Sequence, residues 1–78
     1  MPNFYIRMIN SEFDSTGQSE HASLEDALRD AVRTAVRVAA DVIAGDLVTA
    51  VEVRVSDKDK VLARNVVTLC VAHLSPGI

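Results

Sequence analysis

Residues 23–45 read SLEDALRDAVRTAVRVAADVIAG and form the most regular pattern in the sequence. Its apolar residues recur at steps of three and four, the spacing that places side chains on one face of an α-helix. Ser23 is a good N-cap, and Glu25 and Asp26 follow in the first turn, where the helix dipole favours acidic side chains. Gly45 is a residue type that commonly ends helices. We therefore predict one amphipathic helix on which the rest of the chain packs.

Alternating side chains predict strands on both sides of this helix. The clearest alternations cover residues 4–9 and 51–55, and residues 61–72 are apolar at almost every position. Residues 12–14 fit a short returning strand. The order strand, strand, helix, strand, strand predicts an α+β fold, with an antiparallel sheet of about four strands (ββαββ order) and the long helix packed on one face.

Turn residues separate the predicted strands. Asn10-Ser11 follows the first strand, and residues 14–17 (DSTG) have the Asp and Gly positions of a type I turn. Residues 18–22 are polar and predicted to be irregular, and the charged stretch 56–60 (SDKDK) suits a hairpin loop. Within the helix, small side chains at four-residue spacing would let it approach the sheet closely: Ala27, Ala31, Ala35 and Ala39.

Length and composition set the outer limits. The 78 residues predict one α+β domain over residues 1–74, followed by a disordered tail at 75–78. The hydrophobic fraction is 49% and the mean hydropathy is +0.18, which is high for so short a chain. Such a chain either buries its apolar surface well or shares some of it with a second copy.

Charge and cysteine content exclude several classes of protein. A net charge of −3 and a pI near 5.1 argue against a general nucleic-acid binder, which needs an excess of Lys and Arg on one face. Cys70 is the only cysteine, so an internal disulfide and a multi-cysteine zinc site are excluded. No signal-peptide pattern or membrane-length apolar run occurs, so we expect a cytoplasmic protein without a membrane partner.

Turn, cap and core residues follow a recognisable order: the aromatic opening Phe4-Tyr5-Ile6, Asp14 and Gly17, the cap region 23–27 before an Ala-rich helix, a Val-x-Val-x-Asp hairpin at 53–57, and the strand beginning Val61-Leu62. This order resembles a family of short bacterial proteins of unknown function with a strand-strand-helix-strand-strand pattern. The resemblance covers nearly the whole chain and implies the fold and a bacterial origin, with no activity. The chain departs from the family pattern at Asn10-Ser11, where Asp-Gly is usual, and at 56–60, which lacks a frequent Gly.

Arg29, Arg33 and Arg37 are spaced four residues apart and form a row along the polar face of the predicted helix. Such a row can contact the phosphates of nucleic acid. Acidic residues at helical-neighbour spacing can pair with these arginines: Glu25, Asp30 and Asp41. We therefore interpret the row as a solvent-exposed face, and nucleic-acid contact is kept only as the alternative.

No stretch carries a recognised catalytic, cofactor-binding or metal-binding motif. A cysteine–histidine site would need Cys70 to converge with His21 or His73, but Cys70 and His73 point to opposite faces of one strand. Cys70 is better explained as a small buried hydrophobic residue. The acids of the first loop do not follow the spacing of a calcium loop. We therefore expect a protein that is not an enzyme and has no cofactor or metal.

The last predicted strand is apolar on both faces, and one helix covers only one of them. Self-association through the sheet would bury the remainder, and the candidate residues are Val66, Val67, Leu69 and Val71. The competing explanation is that the first loop or the C-terminal tail folds over the open face. The function predicted is a small non-enzymatic interaction module that forms a homodimer and can bind a further protein. The alternative is an antitoxin-like nucleic-acid-associated regulator using the helix arginines.

Overall fold

The computed structural model describes residues 2–43 and 48–72. Its elements are β1 (Asn3–Ile9), β2 (Asp14–Glu20), α1 (Leu24–Val42), β3 (Val48–Ser56) and β4 (Val61–Cys70). The strands form one antiparallel sheet in the order β2-β1-β3-β4, with α1 packed on one face. The predicted α+β class and ββαββ order are confirmed. The predictions for Gly45, for His73 and for the tail at 75–78 lie outside the described residues.

The start of α1 follows the predicted capping pattern. Ser23 is extended (φ −152°, ψ 166°), and its hydroxyl accepts a hydrogen bond from the backbone N–H of Asp26 at 3.2 Å. This bond satisfies one of the amides that the first turn leaves without a partner inside the helix. At the other end, Ile43 is the C-cap and donates its N–H to the carbonyl of Ala39.

The core lies between α1 and the central part of the sheet. Its most buried side chains are four alanines of α1 and three valines of β3, none more than 2% exposed: Ala27, Ala31, Ala35, Ala39, Val51, Val53 and Val55. The predicted alanine row therefore faces the sheet. Short side chains on the helix allow close approach, so a core of small aliphatic residues can still be packed densely.

The first hairpin differs from the sequence prediction. Asn10 makes the turn: its side-chain oxygen accepts the N–H groups of Glu12 (2.6 Å) and Phe13 (3.2 Å), and its own N–H donates to the carbonyl of Phe13 (2.9 Å). The chain therefore re-enters the sheet at Asp14. The type I turn predicted at residues 14–17 and the irregular segment predicted at 18–22 are wrong, because most of both belongs to strand β2.

The second hairpin turns at residues 57–60, inside the predicted loop. The carboxylate of Asp57 accepts the N–H groups of Asp59 (2.8 Å) and Lys60 (2.9 Å), and the Asp57 N–H donates to the carbonyl of Lys60. Strand β3 begins at Val48, three residues before the alternation at 51–55, and a register shift lies at Val55/Ser56. Strand β4 ends at Cys70, two residues before the end of the predicted apolar segment.

The helix does not cover the whole sheet. It lies over β3 and β4 and contacts β1 at fewer positions. Strands are about 4.8 Å apart, so four of them span about 14 Å, whereas a helix with its side chains is about 10–12 Å wide. The helix-facing side of β1 and β2 is consequently left partly open. In the parts of the chain that the structure describes, no helix is long and apolar enough to cross a membrane.

Candidate functional site

Strand β4 is one edge of the sheet and the main candidate for an interaction surface. It runs for ten residues, and the order of strands places its outer backbone edge away from β3. Its sequence, VLARNVVTLC, contains one charged side chain, Arg64, and no Lys or Pro. Long, apolar edge strands are templates for pairing with another chain, because their backbone amides and carbonyls lack a neighbour.

The predicted self-association residues divide between two sides of β4. Val67 and Leu69 lie on the helix side, opposite Val51 and Thr49 of β3, and pack against the core. Val66 lies on the other side and is 64% exposed, and Val71, just after the strand, is 50% exposed. Only Val66 and Val71 therefore offer substantial apolar surface to a partner.

Other exposed apolar side chains extend this surface on the outer face of the sheet, the face opposite α1. Val48 is 56% exposed and lies directly opposite Cys70 in the β3–β4 register. Val66 and Cys70 occupy the same side of β4, since they are four residues apart on a strand. We call Val48, Val66 and Cys70 the outer-face patch. Cys70 was predicted to be buried, and that prediction is wrong: its side chain is exposed.

The first loop does not cover this open face. Residues 14–20 form the opposite edge of the sheet, β2, instead of folding across the outer surface. The competing explanation for the apolar last strand is therefore wrong for the first loop. Its other version, cover by the C-terminal tail, concerns residues outside the described part of the chain.

Three arginines form a second feature of the outer face that sequence reasoning missed. Arg7 of β1 lies opposite Arg54 of β3, which in turn lies opposite Arg64 of β4. Like charges directly opposite each other are destabilising in a sheet, so such a row needs compensating acids. The signal was present in the strand alternation, but the row becomes visible only when strand order and register are known.

Two carboxylates neutralise most of this arginine row. Arg7 pairs with Asp14 through two hydrogen bonds, Nε to Oδ1 at 2.9 Å and Nη2 to Oδ2 at 2.5 Å. Glu52 accepts from Arg54 and, at 3.3 Å, from Arg64. These arginines lower the pKa of Asp14 and of Glu52, in each case mainly through hydrogen bonding to the ionised form. The row is therefore a structural ion-pair network more than an open anion site.

The helix arginines remain exposed, as predicted. Arg29 pairs with Asp26, three residues earlier, at 3.4 Å, whereas the predicted partner was Glu25. Arg33 and Arg37 are exposed on the same helix, and no ion pair within residues 2–43 and 48–72 includes either one. The structure thus leaves these two guanidinium groups accessible.

A groove lies on the helix side of the sheet, where α1 does not reach β2. Its floor is apolar, its helix wall carries both apolar and polar side chains, and its other wall is made by polar and small residues of β2; the volume is about 340 Å³. Ile6 and Met8 of β1 form the floor, with Ser15 and Gly17 of β2 directly opposite them. This groove was not predicted from the sequence, because β2 was not recognised as a strand.

Ser19, His21 and Asp30 meet at one end of the groove. The hydroxyl of Ser19 lies 2.8 Å from Nε2 of His21, and Oδ2 of Asp30 lies 3.8 Å from the same nitrogen. In a Ser-His-Asp catalytic triad, the serine and the carboxylate contact different ring nitrogens. The arrangement here uses one nitrogen for both contacts, so its geometry does not fit that mechanism.

The other residue combinations considered in the sequence analysis were a metal site and a cysteine–histidine site. In the described ranges, no three His, Cys, Asp or Glu side chains are grouped so that they could hold a metal ion. Of the acids predicted to lie in the first loop (Glu12, Asp14 and Glu20), Asp14 is paired with Arg7. His73 lies outside the described residues, so its distance from Cys70 and His21 stays untested.

Comparisons with known proteins assign no function. A scan against protein-family models, a search of the curated proteins and a search of the solved structures each found no match.

Proposed function

We propose that this protein is a non-enzymatic interaction module of the bacterial cytoplasm that forms a two-fold homodimer through strand β4. The observation that carries this proposal is a ten-residue edge strand with Val66 64% exposed and little charge along its length. The resemblance to short bacterial proteins of unknown function supports the bacterial setting and adds no activity.

The contrast between the two sheet edges favours β4 as the pairing edge. Strand β2 reads DSTGQSE, with an acid at each end and no large apolar side chain. Polar and charged side chains of this kind discourage another strand from pairing with an edge. Strand β4 has a single charge in ten residues, and Arg64 is already bound to Glu52. Edge-to-edge pairing is therefore favoured at β4 and opposed at β2.

Two-fold symmetry follows from pairing a strand with a copy of itself. Antiparallel pairing of two β4 strands uses the same surface on both subunits, which closes the assembly at two. The result is a continuous eight-stranded sheet with both helices on one side. The outer-face patches of the two copies would adjoin, because each lies beside the paired edge, and their apolar surface would be partly removed from water.

The test is the molar mass in solution of three proteins, measured by size-exclusion chromatography with light scattering in the presence of a reductant. The wild type is expected to be a dimer at tens of micromolar. Val66→Lys, which places a charge at the paired edge, is expected to be a monomer. Val36→Lys is the matched control, since Val36 is also exposed (44%) but lies on α1. A monomeric wild type, or a Val66→Lys protein as dimeric as the control, would contradict the proposal.

A second candidate function is nucleic-acid association through Arg29, Arg33 and Arg37. Its support is the exposure of all three residues on one helix, two of them without an ion pair in the described part of the chain. This candidate predicts DNA or RNA binding that weakens with salt and is lost when the three become Ala. Replacing Lys58 and Lys60 by Ala is the control that removes positive charge elsewhere. Absence of binding by the wild type at low salt would eliminate this candidate.

A further inference from the structure

The groove between α1 and β2 arises from a local difference in side-chain size. On the buried side of β3, valines fill the space beneath the helix, whereas β2 presents Ser15, Gly17 and Ser19 on the same side of the sheet. At Gly17 a Cβ atom would meet no atom within 4 Å, which shows how open this wall is. The groove therefore exists because the side chains of β2 are small, and it does not require an opening motion.

The groove has the dimensions of a small-molecule site. Ser19 and Ser15 are four residues apart on a strand, which corresponds to about 13 Å. Along the helix wall, Asp30 and Val38 are eight residues apart, or about 12 Å. The volume of about 340 Å³ lies at the lower end of the range for ligand pockets. At about 30 Å³ per water-sized group, it accommodates about ten non-hydrogen atoms.

The groove carries its one charge at one end, and uncharged polar side chains occur elsewhere in its lining at Ser15, Gln18 and Thr34. Most of its lining is apolar, with Ile6, Met8 and Val38 among the contributors. One end carries Ser19 and Asp30, whose side chains both lie close to Nε2 of His21. Asp30 is the single charged side chain among the residues that line the groove, and its side chain is 63% exposed. A ligand that fits this distribution has an apolar body and one positively charged end.

We propose that this groove binds a small amphipathic amine, with its apolar body over Ile6 and Met8 and its ammonium group beside Asp30. The attraction comes from an ion pair at a partly exposed site, which contributes modestly, together with burial of the apolar body. Neither interaction uses β4, so this site is separate from the proposed dimer surface. Nε2 of His21 lies 3.8 Å from the Asp30 carboxylate, at the same end of the groove as Ser19.

The experiment is a titration of the ¹⁵N-labelled protein with phenethylamine at mildly alkaline pH, followed by amide chemical shifts. Two probes with the same phenethyl body test the charge requirement: phenethyl alcohol, which is neutral, and 3-phenylpropanoate, which is anionic. Saturable shifts are expected for amides around Ile6, Gly17 and Ala31. Phenethylamine should bind about two- to fivefold more tightly than the alcohol, as expected for an exposed ion pair, and 3-phenylpropanoate should bind more weakly than the alcohol.

Two variants with matched controls test the site itself. Gly17→Leu fills the open wall and should abolish binding, whereas Thr16→Leu changes the neighbouring residue on the opposite side of β2 and should not. Asp30→Asn should remove the preference for the amine over the alcohol. Asp41→Asn, an exposed helix acid outside the groove lining, should preserve it.

Several results would overturn the proposal. These are the absence of saturable shifts with phenethylamine, equal affinity for the cationic and anionic probes, or shifts that map outside the groove. Unchanged binding by Gly17→Leu would also contradict it. If Gly17→Leu does not give a dispersed amide spectrum, the comparison of Asp30→Asn with Asp41→Asn decides. A change of dimer fraction with the probe would indicate a site between copies and would likewise contradict binding in this groove.

Discussion

At the scale of single residues, two short polar side chains form the turns of this fold. Asn10 and Asp57 each use one side-chain oxygen to accept two backbone N–H groups in the following residues. Both hairpins therefore turn at a residue whose side chain supplies a hydrogen-bond acceptor to the turn. Asn and Asp favour turns for this reason, because their side chains replace a backbone partner.

Removing the Asn10 side chain is expected to destabilise the first hairpin. Asn10→Ala removes the acceptor of two hydrogen bonds, and we expect the free energy of unfolding to fall by about 1–2 kcal/mol. Ser11→Ala, at the neighbouring exposed position of the same turn, is the control and should change stability by less than about 0.5 kcal/mol. Urea denaturation measures both. Equal effects of the two substitutions would show that the Asn10 side chain does not organise the turn.

The ion pairs on the outer face make stability depend on pH. The pKa values of Asp14 and Glu52 are lowered in the folded protein by the paired arginines, so the unfolded chain binds protons more readily. Their stabilisation is fully present above the ordinary carboxyl pKa near 4 and is lost as the pH falls through the lowered values. We expect the urea midpoint to fall on acidification below about pH 5.

The variant Asp14→Asn tests which group causes this dependence. It should reduce the slope of stability against pH in the acidic range, because one of the three carboxyl groups with a lowered pKa is removed, while Glu52 and Asp57 remain. Glu12→Gln, an exposed acid in the adjacent turn, serves as the control and should leave the slope nearly unchanged. A slope in Asp14→Asn as steep as in the wild type would exclude the Arg7–Asp14 pair as its source.

At the scale of elements, the close approach of α1 depends on alanine. Ala35 is fully buried against the sheet, whereas Ala40 on the same helix is exposed. We expect Ala35→Leu to cost about 1–3 kcal/mol through overpacking, since a well-packed core does not readily admit extra methylene groups. Ala40→Leu should be nearly neutral. Thermal and urea unfolding compare the two, and a neutral Ala35→Leu would contradict the close helix–sheet packing.

The elements differ in how far the sequence could predict them. In the helix, β1 and β3, the side chains that face the core recur at regular intervals along the chain. Their hydrophobic periodicity was therefore clear in the sequence. Strand β2 is polar on both faces, and only Ser19 is even partly buried, so no hydrophobic period marked it. The Asp and Gly that suggested a turn at 14–17 are tolerated there because an exposed edge strand makes few packing demands.

The candidate surfaces were predicted less completely than the fold. The sequence indicated an apolar β4, but it placed Val67 and Leu69 in the interface with Val66, although the register puts them on the core side. The arginine row Arg7–Arg54–Arg64 and the groove beside Gly17 depend on strand order. Strand order is a tertiary property that alternation within one strand does not contain.

At the scale of the whole molecule, a single helix on a four-stranded sheet leaves part of the sheet uncovered and available to a second copy. The helix covers β3 and β4 best, so the open regions are the groove over β1 and β2, the outer face and the free edge of β4. A 78-residue chain with 49% hydrophobic residues has limited room to bury them alone. Pairing at β4 would place part of this surface between two copies.

Hydrogen exchange of the β4 amides, measured at dilute and at concentrated protein, tests this pairing most directly. In an antiparallel sheet, alternate N–H groups of an edge strand point away from the neighbour inside the subunit. If two copies pair at β4, these outward amides are protected at high concentration and exchange faster on dilution, while the outward amides of β2 stay fast throughout. Outward β4 amides that exchange as fast as those of β2 at every concentration would contradict the dimer proposed here.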